Sequence, residues 1–322
     1  MNMRLNYKVW VLIALTFLAL GYFFASRILM RTVTPAKEAQ HIATVVKPMA
    51  PLTPDVEDIT KQINEQRLME HIEKLADRIG VRQSGTAAEE EAARYIADSL
   101  RSWGYQVRVQ RVDVEGRTVT QNVIATRSKQ ADKAMLIGAH IDSKIPSPGA
   151  NDNASGVAVM LELAYLLGDT DLPEPCVFVG FGAEEMVDKN SDHHHYGSRA
   201  LASDEAFRAG ISCMTTLDMV GVGQTLYLET RGSNTEWRDS MVKIAKLQGY
   251  PIQVGAGKPW SDHEAFEKFS IPTAYIHWEK DTNYHKKTDT ADRINPKLLI
   301  KTTKLMLLAI LKKAGNSKIN GK

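Results

Sequence analysis

The sequence predicts an α/β fold: a mixed, largely parallel central sheet flanked by helices on both faces, preceded by an N-terminal membrane segment. Three observations carry this expectation. From residue 134 onward, short apolar runs alternate with stretches of helical length, and strands alternating with helices build parallel sheets covered on both sides. The 322 residues suffice for one full-sized α/β unit with segments to spare. A composition of 43% hydrophobic and 24% charged residues excludes collagen-like, low-complexity and wholly disordered chains.

Charge and cysteine content narrow the function. Lys+Arg 40 against Asp+Glu 38 leaves a formal charge of +2 with no basic block, so no nucleic-acid partner is expected. Cys176 and Cys213 cannot form a disulfide framework or a four-thiolate zinc site, and each sits in an apolar run that reads as a buried strand.

Taken in order, residues 9–25 are apolar all round, interrupted only by Thr16 and Gly21, and flanked by Arg4 and Lys8 before and Arg27 and Arg31 after. That run is just long enough to cross a bilayer and longer than a signal-peptide core. Residues 1–31 are therefore expected to be a membrane anchor, with a cleaved signal segment as the alternative. Lys and Arg are balanced across the run and leave its orientation open; we place the N-terminus inside and the rest on the extracytoplasmic side. Residues 32–60, with Pro35, Pro48, Pro51 and Pro54, read as an extended linker. A domain then spans residues 61–313, and 314–322 form a polar tail expected to fray.

Within the domain, Ile63, Leu68, Ile72, Leu75 and Ile79 approximate a helical stripe, and Ala87 to Trp103 forms a second helix with three glutamates in its first turns. Tyr105–Val114 and Thr118–Thr126 flank Glu115-Gly116 as a β-hairpin. Strands are expected at 134–139, 176–181, 211–217, 226–228 and 272–277. Helices are expected at 154–167, 235–247 and 296–312.

Nearly every strand ends in a residue able to bind a metal. His140-Ile141-Asp142 follows the first, and Gly149-Ala150-Asn151-Asp152-Asn153-Ala154-Ser155-Gly156 leads into the next helix. Glu184-Glu185 follow the second strand, Asp218 the third, and His285 lies beyond the last. Ligands of α/β sheets bind at the carboxyl ends of strands, so these residues share one rim. Taken singly, Asp152 would read as a helix cap and Glu184-Glu185 as a solvated pair. Their recurrence at successive strand ends points instead to a metal site. Imidazoles and carboxylates without thiols suit zinc, cobalt or manganese in a catalytic rather than structural role. No HExxH is present, which excludes a helix-borne zincin site.

These motifs, together with Arg82-Gln83-Ser84-Gly85-Thr86, Gln121-Asn122-Val123-Ile124-Ala125, Ser261-Asp262-His263 and Asp289-Thr290, closely resemble the di-zinc metallopeptidases of family 28, of the aminopeptidase Y and bacterial leucyl aminopeptidase type. The likeness spans roughly residues 63–311 and implies the zinc-exopeptidase, phosphorylase/hydrolase-like fold. It implies two zinc ions, with cobalt or manganese as possible substitutes. Asp152 would bridge them, His140 and Asp218 would complete one site, and Glu185 and His285 the other. Glu184 would be the general base, acting on a water shared by the two ions. Asp142, two residues beyond His140 on an extended chain, would orient that imidazole, and Asp289 would do the same for His285. The likeness also implies a cis peptide at Asp152–Asn153.

One departure is the stretch from Met186 to Tyr196, where relatives pass almost directly from Glu-Glu to Gly-Ser-Arg. Its His193-His194-His195 is expected to belong to a flexible insertion and stays outside the ligand set. Lys144 places a charge near the cleft, and Trp260, Trp278 and Tyr284 are candidate pocket walls.

The function expected is that of an aminopeptidase acting on peptides with a free N-terminus. A glutaminyl-cyclase-like acyltransferase with one zinc is the first alternative. A non-catalytic, membrane-tethered binding ectodomain is the second, disfavoured because no expected ligand is missing.

Overall fold

The computed structural model describes residues 54–317, apart from 128–131 and 191. The apolar run at 9–25 and most of the expected linker lie outside the described residues. Among those described, no helix is long and apolar enough to cross a membrane. The extended linker gives way sooner than expected, because Pro54 opens helix α1 (Pro54–Lys61). Its fixed φ and missing N–H suit a first helical position.

Helix α2 (Glu65–Ile72) is capped by Asn64, whose side chain accepts from Arg67 N–H at 2.9 Å, and continues into a π-helical turn at Glu73–Ile79. Helix α3 (Ala87–Ser102) is capped by Thr86 and carries Glu89 and Glu90 in its first turn, where the helix dipole favours acids. Strands β1 (Gln106–Val114) and β2 (Thr118–Thr126) form the expected hairpin, paired from Gln106–Thr126 to Val114–Thr118.

Next come β3 (Ala134–His140), a π-helical turn at Ala150–Ser155, α4 (Gly156–Leu167), β4 (Cys176–Phe181), α5 (Tyr196–Ser203), α6 (Glu205–Ala209) and β5 (Ile211–Leu217). They are followed by β6 (Thr225–Glu229), α7 (Glu236–Leu247), β7 (Ile252–Gly255), α8 (His263–Glu267), β8 (Thr273–Glu279) and α9 (Pro296–Ser317). The last helix runs past the expected domain end at 313. Strand β7 and the short helices α5, α6 and α8 had no sequence signal, since four to eight residues are too few for a period to declare itself.

The eight strands lie in the order β1-β2-β4-β3-β5-β8-β6-β7. The central four, β4-β3-β5-β8, are parallel, while β2 joins β4 and β6 joins β8 in antiparallel pairs. All seven residues of β3 are buried, as expected of a strand covered on both faces. Its alternation divides the interior: Met135, Ile137 and Ala139 join the larger core, Ala134 and Leu136 the smaller one. Helix α4, buried at every residue but Tyr165, fills the larger core. Its buried Glu162 receives Arg67 at 2.5 and 2.7 Å and the Asn64 N–H at 2.9 Å, tying α2 to α4. Removing Arg67 would leave that carboxylate unpaired, a change that costs about 3–5 kcal/mol in a protein interior.

Parallel packing of β3, β4 and β5 brings their C-terminal ends together. His140 pairs with Phe181 across β3 and β4, and Gly138 with Thr216 across β3 and β5. The residues after these strands therefore meet at one rim.

Candidate metal centre

Two groups of donors converge at this rim: His140, Glu184 and Asp218, and Asp152, Glu185 and His285. Within each group the nearest donor atoms lie within 4.8 Å of one another. Asp152 faces both groups. Its Oδ1 lies 3.1 Å from His140 Nε2, and its Oδ2 lies 3.2 Å from His285 Nε2. His140 Nε2 is also 3.4 Å from Asp218 Oδ1, and His285 Nε2 is 2.9 Å from Glu185 Oε1. All five expected ligands are thus adjacent. Glu184 stands beside them, its Oε2 4.0 Å from His140 Nε2.

Backbone hydrogen bonds hold this set in place. The Asp152–Asn153 peptide is cis, as the resemblance implies. Asn153 accepts through Oδ1 from the N–H groups of Gly156 and Met219 and donates through Nδ2 to the Leu217 carbonyl, which locks the turn to the end of β5. Gly149 has φ +67°, and a Cβ there would come within 2.3 Å of the Asp152 carbonyl, so glycine is required. Arg82, wholly buried, donates to the carbonyls of Ile141, Leu75, Gly80, Pro148 and Gly149 and thereby clamps the loops after β3. Of the seven non-glycine residues with positive φ among the described residues, Ala183, Met219 and His285 adjoin or supply the donors, and His195 makes a fourth at the same rim. Such clustering is common where a site dictates backbone geometry.

Two supporting roles differ from expectation. His140 Nδ1 meets the Asp142 backbone carbonyl at 3.1 Å, while the Asp142 carboxylate stands at 3.5 Å. That carboxylate instead accepts from the N–H groups of Glu184 and Glu185 at 3.0 and 3.1 Å and from the Ser84 hydroxyl at 2.9 Å. Asp142 therefore positions the Glu184-Glu185 pair more directly than the imidazole. Asp289 does not serve His285; it accepts from the N–H groups of Asn151 at 2.7 Å and Asp152 at 3.1 Å, bracing the turn that carries Asp152.

Of the candidate pocket walls, Trp278 is 1% exposed and donates to Thr302 in the core, which removes it from the pocket. Strand β8 is buried along Thr273 to Trp278, covered on both faces, so the Trp278 indole enters the core rather than a pocket. Tyr284 is half exposed and stacks on His285, ring centroids 3.7 Å apart, and Trp260 is 59% exposed. Lys144 donates to the Met186 carbonyl.

The stretch 186–195 is held rather than loose. Asp188 pairs with Arg117 and His193, and Tyr196 donates to Glu115, which fastens the loop to the β1–β2 turn. His194 contacts Arg199, and His195 contacts both Glu184 and Glu264. The sequence signal for this was the position of His195, two residues before Gly197-Ser198-Arg199, and three adjacent histidines concealed it.

The electrostatics ask for cations. Four carboxylates and two imidazoles meet here in a buried space. Burial, reinforced by Asp218, Glu185 and Asp262, pushes Glu184 well above the usual carboxylate range despite His140. Burial and Asp152 lift Glu185 to about 7. Burial alone would depress His140, yet Glu184 and Asp218 outweigh it and hold that imidazole well above its ordinary value. His140 Nε2 and Asp218 Oδ1 are buried without a hydrogen-bond partner, as donors awaiting a metal would be. The donor types and charge balance fit two divalent ions of the zinc class.

Comparison with known proteins identifies the fold and the family. The aminopeptidase YwaD of Bacillus subtilis is 30% identical over 208 residues, 59% of this chain and 44% of that protein. The chain spans about half the length of curated relatives that it matches. BSAP, a zinc aminopeptidase from Bacillus subtilis, superposes with a TM-score of 0.69 at 20% identity, covering 78% of this chain and 95% of that structure. The glutaminyl cyclase of Porphyromonas gingivalis superposes with a TM-score of 0.69 at 24% identity over 78% of this chain and 99% of its own. At those identities the likeness establishes the fold. The sequence profile of peptidase family M28 matches residues 122–310, a segment that holds all seven residues from His140 to His285 named above, and the chain belongs to that family.

Proposed function

We propose that the chain is a co-catalytic di-zinc aminopeptidase that removes N-terminal residues from peptides. The observation that carries this reading is the straddling position of Asp152, one carboxylate oxygen toward each donor group. His140 and Asp218 would hold one ion, Glu185 and His285 the other, with Asp152 shared. When bound, two such ions activate a water and polarise the scissile carbonyl. Glu184, whose Oε2 lies 4.0 Å from His140 Nε2, would take the proton from that water and pass it to the leaving amine. Asp142 fixes Glu184 and Glu185 through their N–H groups. The half-exposed Tyr284 ring beside His285 is placed to meet a substrate. The apolar run at 9–25 supports a membrane anchor, and we place this domain on the extracytoplasmic side.

The likeness to a glutaminyl cyclase supports a second reading, intramolecular acyl transfer with one zinc. Metal content of the full-length chain, measured with hydrolysis of a panel of aminoacyl amides and cyclisation of an N-terminal glutaminyl peptide, separates the two. Two zinc ions per chain and chelator-sensitive release of N-terminal residues are expected. One zinc with cyclisation and no hydrolysis would transfer the assignment to the second reading, and a metal-free, inactive chain would leave a binding ectodomain. Glu184→Ala should keep its zinc while kcat falls by about 10²- to 10⁴-fold.

A further inference from the structure

His193-His194-His195 suggests a third metal site, and His194, His195 and Glu264 do place donor atoms within 4.8 Å of one another. The surroundings argue against a cation there. Arg199 lies 2.9 Å from His194 Nε2 and 3.3 Å from Glu264 Oε2, and Lys268 lies 2.8 Å from Glu264 Oε1. Fixed positive charges already occupy the atoms that a metal would need. Burial pushes Glu264 up, but His195 and then Lys268 hold it well below the usual carboxylate range.

What the cluster does is present one imidazole to Glu184. His195 is 1% exposed, with Nε2 3.1 Å from Glu184 Oε1 and Nδ1 3.1 Å from Glu264 Oε2. Its main chain is fixed to the same residue, since His195 N–H donates to the Glu184 carbonyl at 3.0 Å. The next two N–H groups donate to Ala183 and Gly182. The side chain of Glu184 is thereby pinned at one oxygen, leaving Oε2 facing His140.

We propose that His195 is a positioning residue for this reaction: braced by Glu264, it fixes the carboxylate rotation of Glu184 so that one oxygen stays directed at the metal cluster. The proposal rests on the reading of Glu184 as base and adds a determinant outside the expected ligand and base set. A carboxylate free to turn about its terminal bond spends part of its time misdirected, which lowers kcat without weakening substrate binding.

Two substitutions isolate the contact. His195 has φ 56°, a conformation that asparagine tolerates well, so His195→Asn spares the backbone while its shorter side chain cannot reach Glu184. His195→Gln places an amide nitrogen near the position of Nε2 and restores the reach. For His195→Asn we expect kcat to fall about 10- to 100-fold, the range seen when a supporting partner of a catalytic group is lost, with KM within about threefold and zinc content unchanged. His195→Gln should recover most of that loss, and Glu264→Gln, which loosens only the brace, should lower kcat by a smaller factor at unchanged KM. The Glu264 variant also serves if the His195 variants fail to fold. The proposal is overturned if His195→Asn keeps kcat within about twofold while Glu184→Ala does not, if Gln is no better than Asn, or if the loss follows zinc or thermal stability. Activity retained in Glu184→Ala removes the base itself, and the positioning role with it.

Discussion

His140 and His285 supply the same donor atom from very different platforms. His140 ends a central parallel strand, its side chain 1% exposed and its neighbours on β4 and β5 fixed by the sheet. His285 sits on the loop after β8, 27% exposed, with a left-handed backbone at φ 58°. The first donor group is wholly buried, whereas the second reaches solvent through His285. Rigidity on one side and access on the other suit a centre that must hold its metals and still admit a substrate.

The largest expected effect comes from removing the residue that joins the halves. Asp152→Asn keeps the shape but replaces one of the two facing oxygens and removes the charge, so both ions should be lost and activity should fall by about three orders of magnitude or more. Metal analysis checks this, and an Asn variant that still carries two zinc ions would break the bridging role. Next in size is an asymmetry between the halves. His285→Ala should retain about one zinc per chain, held by the buried half, whereas His140→Ala, which leaves buried carboxylates facing one another, should fail to hold that ion. Equal stoichiometry in the two variants would erase the distinction drawn here.

The smallest effect concerns a histidine bonded to a tyrosine hydroxyl rather than set among carboxylates, which sharpens the contrast. His71 on α2 is 5% exposed, hydrogen-bonded through Nδ1 to the Tyr95 hydroxyl, and held down to about 4 by burial and then by Arg67. In the unfolded chain it would take up a proton near 6.5, so the folded state loses ground as pH falls from about 6.5 to 4 and is unaffected above that window. The cost approaches about 3 kcal/mol. Urea unfolding of the protein and of His71→Gln at pH 7, 5.5 and 4.5 should show their stability difference moving by that amount in favour of the variant. A difference that does not change with pH would refute it.

How much of this was legible in the sequence follows the same division. Donors attached to strands were readable because a buried strand announces itself as an apolar run and its last residue must then lie on the rim, as His140 and Asp218 do. The partner of each donor was not readable. Asp142 and Asp289 lie where the spacing suggested, but which hydrogen bonds they make is decided by loop conformation: both accept from backbone N–H groups, Asp142 while its carboxylate stays 3.5 Å from His140 Nδ1. Glu264 was invisible, since helix α8 spans only five residues and meets His195 from 69 positions away.

The hold of Asp289 on Asn151 and Asp152 also has a temporal side. Its carboxylate reaches back 138 and 137 residues along the chain. During synthesis at about 5–20 residues per second, the turn carrying Asp152 therefore waits on the order of 7–30 s for the segment that braces it. Zinc offered earlier than that meets only a partial ligand set. Assembly of the complete donor set is thus ordered after translation of His285 and Asp289, in whichever compartment that segment finally folds.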